Sequence, residues 1–85
     1  MKQLIEVTRE AETPWSIYLR YSRAPVFKTT SLDGAEHFVN VDFDERGEIV
    51  GIEIVAPDDA SVDLVSTFAH ANELSLTGVF VPLDA

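Results

Sequence analysis

The segment His37 to Val55, H-F-V-N-V-D-F-D-E-R-G-E-I-V-G-I-E-I-V, leaves little structural freedom to the chain that contains it. Val39, Val41 and Phe43 alternate with Asn40, Asp42 and Asp44, the period of two of a half-buried strand. Further on, Val50, Ile52 and Ile54 alternate with Ile49, Gly51 and Glu53. The pattern predicts a β-hairpin closed by a four-residue loop, Asp44-Glu45-Arg46-Gly47, flanked by Phe43 and Glu48. Val41 then falls opposite Val50 and Val39 opposite Ile52, which gathers both apolar sets on one face. Gly47 is expected in the left-handed conformation that closes the loop, and Asp44 is expected to accept hydrogen bonds from turn amides.

The same residues fit part of a calcium loop. Asp42-x-Asp44-x-Arg46-Gly47, five residues and Glu53 match the EF-hand spacing at four positions. Arg46, however, sits where an oxygen ligand is needed. The flanks are β-branched and alternating, where a calcium loop needs two amphipathic helices. The carboxylates therefore read first as solvated side chains of a hairpin. A divalent-ion-binding or hydrolytic site on Asp42, Asp44 and Glu53 is the alternative.

With 85 residues, the chain is expected to form a single domain spanning 1–85. It has no cysteine, so no disulfide or thiolate metal site can staple it. A small unstapled domain often gains stability by oligomerising, which makes a homodimer the expected state. No apolar run approaches a membrane span and Met1-Lys2-Gln3 opens no signal-peptide core, so a cytoplasmic protein is expected. The formal charge of −9 is unevenly distributed. Residues 1–30 hold five bases against three acids, whereas residues 31–85 hold Arg46 alone against twelve acids. So acidic a body repels phosphate backbones and argues against direct nucleic-acid binding. It suits a basic protein partner.

Along the chain, strands are expected over Lys2–Thr8, Trp15–Ser22 and Val26–Thr30, separated by turns at Glu10–Pro14 and Ala24-Pro25. With the hairpin they make an antiparallel β-meander of four to five strands. A helix packed on one sheet face follows Ala56-Pro57, with Asp58 or Asp59 as its N-cap. Val62, Val65 and Ala69 form one apolar stripe on it, Leu64, Phe68 and Ala71 its neighbour, and Asn72 supplies a left-handed stop. The tail Leu74–Leu83 carries β-type residues, which suit either an added edge strand or a reach onto a second subunit. The fold class is thus α+β.

Little in the chain suggests catalysis. His37 and His70 lack ligand spacing and read as polar boundary residues at a strand start and a helix end. Ser66 and His70 stand one helical turn apart, without an orienting acid or oxyanion site. There is no nucleophile elbow, P-loop or dinucleotide turn, and no cofactor is implied. The candidate contact patch is Tyr18, Arg20, Arg23 and Lys28, an aromatic and basic surface on an acidic protein. Its competitor is that Tyr18 packs beneath the helix.

The segments A-E-T-P-W-S-I-Y-L-R-Y-S (11–22), A-P-V (24–26) and V-N-V-D-F-D-E-R-G-E-I-V-G-I-E-I-V (39–55) resemble domain-of-unknown-function family 2283. Its members are small uncharacterised bacterial proteins that carry an acidic turn, a P-V step and a D-E-x-G-x-V-V-G-I-E-I hairpin. This chain departs from them at its start, where the family usually has Tyr-Asp, and in a longer helix and tail. The resemblance implies a β-meander plus helix and no assigned activity. Genes of this kind sit beside small basic toxin-like ribonucleases, which implies an antitoxin-like role. The expected function is accordingly a non-enzymatic protein-interaction domain that self-associates or binds a basic protein.

Overall fold

The computed structural model describes residues 1–12, 14–36 and 38–79. Among them are five strands, β1 (Glu6–Glu10), β2 (Ser16–Arg20), β3 (Lys28–Ser31), β4 (Val39–Phe43) and β5 (Ile49–Val55), followed by a helix, α1 (Asp59–Ala71). A 3-10 turn at Gly34–Glu36 joins β3 to β4. The class is α+β, as the alternation followed by a helical period requires. The strand starts expected at Lys2, Trp15 and Val26 shift inward to Glu6, Ser16 and Lys28. His37 lies outside the described residues, as does the far half of the expected C-terminal strand; no strand occurs between Ser75 and Val79. No helix among the described residues is long and apolar enough to cross a membrane.

The sheet is antiparallel throughout, but its order is β1-β2-β5-β4-β3, which corrects the meander. Chain neighbours β2 and β3 are separated in space, and β5 lies between β2 and β4. The most apolar of the strands competing for a central place is β5. In I-V-G-I-E-I-V the side chains of Val50, Ile52 and Ile54 are wholly buried, and a central position supplies partners on both sides. At an edge, a strand this apolar would be a template for aggregation.

The β4–β5 register also differs from the expected one. Val39 pairs with Ile54 and Val41 with Ile52, two residues from the anticipated partners. The loop is longer because the Asp44 amide donates to the Glu48 carbonyl (2.9 Å), and a bulge opposite Asp42/Phe43 absorbs Val50. A slip of two preserves facing, so Val39, Val41, Ile52 and Ile54 still share one side. Gly47 has φ 81°, and the Asp44 carboxylate accepts the amides of Arg46 (2.8 Å) and Glu48 (3.0 Å), as the loop chemistry anticipates. The freed Val50 carbonyl accepts from the amides of Tyr21 and Ser22.

One sheet face is the core. Val7, Leu19, Ile52 and Val41 lie in one cross-strand row, and Ile17, Ile54 and Val39 in the next. Val65 and Ala69 of α1, with Leu74 and Val79 beyond it, complete the cluster. Each fully buried branched side chain here contributes roughly 1.5–3 kcal/mol. Tyr21 sits at the margin, donating its buried hydroxyl to the Ser75 carbonyl (2.8 Å).

Both helix ends are capped by side-chain and backbone chemistry. The Asp58 carboxylate accepts the Ser61 amide (2.8 Å) while the Ser61 hydroxyl accepts the Asp58 amide (2.8 Å), a reciprocal box. That box draws Ser61 inward, so Ser61 rather than Val62 heads the buried stripe with Val65 and Ala69, and Ala71 is exposed. At the C-terminus the left-handed residue is Glu73 (φ 56°), not Asn72 (φ −107°). The Glu73 amide reaches the His70 carbonyl and the Leu74 amide the Ala69 carbonyl, the double closure of a Schellman motif, with Leu74 buried against Ala69. Lys2 then bridges Leu74, which explains why β1 begins later than its sequence suggests.

Candidate functional site

The other sheet face has no helix on it, and the pairings specify what it carries. Glu6, Thr8 and Glu10 of β1 stand beside Arg20, Tyr18 and Ser16 of β2. These adjoin Gly51, Glu53 and Val55 of β5, then Asp42 and Asn40 of β4, then Thr29 and Ser31 of β3. Four carboxylates and one guanidinium give this face a net charge of −3.

Its centre is a cross-strand strut. From β2, the Tyr18 ring lies against Gly51 of β5 and its hydroxyl donates to the Asp42 carboxylate on β4 (2.7 Å). From β3, the Thr29 hydroxyl donates to the other oxygen of Asp42 (2.5 Å). A Cβ at Gly51 would fall 2.5 Å from Tyr18 Cζ, so the glycine is what lets the ring cross. Arg20 completes the group, its guanidinium carbon 5.3 Å from the Tyr18 ring centre and its Nη1 donating to the Ser22 carbonyl (3.2 Å). Burial pushes the Tyr18 hydroxyl well above the usual tyrosine range, and its bond to Asp42 and that carboxylate's charge add to the shift. The phenol therefore remains a donor, not an anion or a general base.

The structure divides the contact patch expected from the sequence. Tyr18 and Arg20 are together on the open face. Lys28 pairs across from Phe43 and so belongs to the opposite side of the sheet, and Arg23 lies exposed in the segment after β2. What surrounds Arg20 is acidic, not basic. A shallow groove there is lined by Glu6, Thr8, Glu10, Tyr18, Arg20 and Glu53.

The alternative ion site is likewise dispersed. Asp42 and Glu53 share the open face, but Asp44 is turned into the hairpin loop. The amide of Glu48, then that of Arg46 and the Arg46 charge, hold the Asp44 carboxyl below its ordinary range against the opposing effect of burial. Among the described residues no three His, Asp or Glu side chains are grouped to hold a metal ion. Ser66 and His70 are both exposed on α1.

Sequence reasoning passed over Gly51, Thr29, Glu6 and Glu10. A glycine inside an apolar strand was the available signal for a close approach. The other three acquire meaning only from the strand order. No family model, no curated protein and no solved structure matches the chain.

Proposed function

We propose that this protein is a non-enzymatic interaction domain whose uncovered sheet face receives a basic protein. The observation that carries the reading is the asymmetry of the sheet. One face is buried under α1, and the other presents Glu6, Glu10, Asp42 and Glu53 around a braced Tyr18–Arg20 pair. Individual exposed ion pairs there are worth about 0–1 kcal/mol, so the charge acts mainly on encounter rate and orientation. Tyr18 and Arg20 supply the rigid aromatic and guanidinium contacts that dominate binding energies. Neutralisation of a basic nuclease is the specific form suggested by the resemblance to family 2283, and that kinship is part of the proposal. A cytoplasmic setting suits a chain whose stability owes nothing to cysteine.

The test is an NMR titration of labelled protein with an arginine- and lysine-rich peptide, beside a glutamate-rich peptide of equal length. Salt-sensitive shifts confined to β1, β2 and β5, weakened about tenfold by Glu6→Lys with Glu10→Lys, are expected for an oriented acidic face. Shifts centred on Asp59 and Asp63 of α1, or spread evenly over all acids, would refute the reading.

A further inference from the structure

The two outer strands of the sheet differ in kind. In β1, an antiparallel self-pairing centred on Thr8 sets Glu6 against Glu10 of the second copy, like charge on like charge at both ends. β3 has no such guard. It reads Lys28-Thr29-Thr30-Ser31, with no acid, no proline and two β-favouring threonines. Among the described residues no strand lies outside it. Val26 and Phe27, just ahead of it, are 48% and 73% exposed.

The hydrogen-bond phase of β3 defines how another strand would join. The Leu32 amide donates to the Val39 carbonyl, and the register runs Thr30↔Val41 and Lys28↔Phe43. Even-numbered residues therefore bond inward to β4, and Thr29 and Ser31 direct their amides and carbonyls outward. These two residues complement each other. Placed antiparallel about a two-fold axis at Thr30, Thr29 of one copy meets Ser31 of the other, giving four backbone hydrogen bonds in two symmetric pairs.

The charges agree with that arrangement. β3 leads from Lys28 at its start to Asp33 and Glu36 beyond its end. Antiparallel pairing sets each basic start beside the partner's acidic end, twice. The Asp33 carboxylate remains ionised there. Burial works against the charge, but hydrogen bonds from the Ser31 hydroxyl and the Val39 and Phe38 amides outweigh it and lower the pKa. A strand from a strongly basic protein would instead meet Lys28.

We infer that β3 pairs with β3 of a second copy, joining two sheets into one of ten strands with its two-fold axis at Thr30. Because Thr29 and Ser31 both belong to the open face, the two acidic faces lie on the same side and both helices on the other. The pairing thereby doubles the platform proposed above, but it does not depend on it. Loss of basic-peptide binding with the dimer intact refutes the platform alone.

The test uses the axis residue. Thr30 is exposed, so Thr30→Glu and Thr30→Lys should each fold, as circular dichroism will show. In a dimer centred there, either substitution sets like charges together. Light scattering behind size exclusion should give twice the 9.4 kDa chain mass for the wild type. Each variant alone should give the single mass, with a dissociation constant raised about tenfold or more. Mixing the Glu and Lys variants should restore the doubled mass, now as a heterodimer. A wild type monomeric at every concentration overturns the inference, as does a dimer that neither variant weakens. So does a mixture that stays monomeric.

Discussion

Tyr18 reaches Asp42 only by crossing Gly51. The ring starts on β2, lies over a position on β5 that has no side chain, and donates its hydroxyl to a carboxylate on β4. The central strands are thus tied across the open face by polar contacts, while the opposite face is held by apolar packing.

Gly51→Ala should therefore be costly although alanine suits a strand better than glycine. The new methyl must displace the Tyr18 ring, at about 1–3 kcal/mol by chemical denaturation. In a Tyr18→Ala background the same change should cost much less. Additive effects in that double-mutant cycle would show that the ring is not the obstacle.

Glu73 occupies a left-handed position that glycine prefers, at the residue where the helix closes. Glu73→Gly should raise stability by about 1 kcal/mol, whereas Asn72→Gly should not. At the other end, Asp58→Ala removes one half of the capping box and should cost about 1–2 kcal/mol. A melting-temperature series on the three variants checks both ends of α1.

Acid should unfold the protein partly through Asp44 and Asp33. Both have folded-state pKa values below the unfolded ones, so the stability they add is present above the ordinary carboxylate range, near pH 4. It is lost as pH falls through the lower folded values. Urea midpoints measured downward from pH 6 should fall more gently for Asp44→Asn than for the wild type. Parallel curves would remove Asp44 from this role.

Base acts on the tyrosines with the opposite sign. Burial pushes Tyr21 up to about 12, and Tyr18 is raised as well. Their contribution is complete below pH 10, the unfolded value, and is lost as pH rises through the folded one. Absorbance at the tyrosinate band should therefore rise together with loss of the circular dichroism signal. Ionisation near pH 10 in the folded state would contradict the buried environment of Tyr21.

Much of the sheet was legible because alternation is local. Ile17, Leu19, Val39, Val41, Ile52 and Ile54 announce their face by period alone, and Asp58 announces the helix start by its chemistry. What was not legible depended on distant parts. The insertion of β5 between β2 and β4 follows from competition among strands for central places, which no single segment encodes. The two-residue register shift came from a loop and bulge whose geometry is decided by Asp44 and Val50 jointly. The contact patch divides for the same reason. Lys28 looked adjacent to Tyr18 and Arg20 in composition, yet strand parity sends it to the other side. The Glu6 and Glu10 carboxylates entered the face only through pairing with β2.

Because α1 covers one face only, each strand spells two messages at alternate positions. One set of letters, Leu19, Ile52, Val41 and their row, is read by the core; the interleaved set lies on the open face. Descendants of this chain can rewrite Glu6, Thr8, Glu10 and Glu53 without editing a single core letter. A lineage built on such a sheet can change the charge and shape of its open face while its folding instructions stay unchanged.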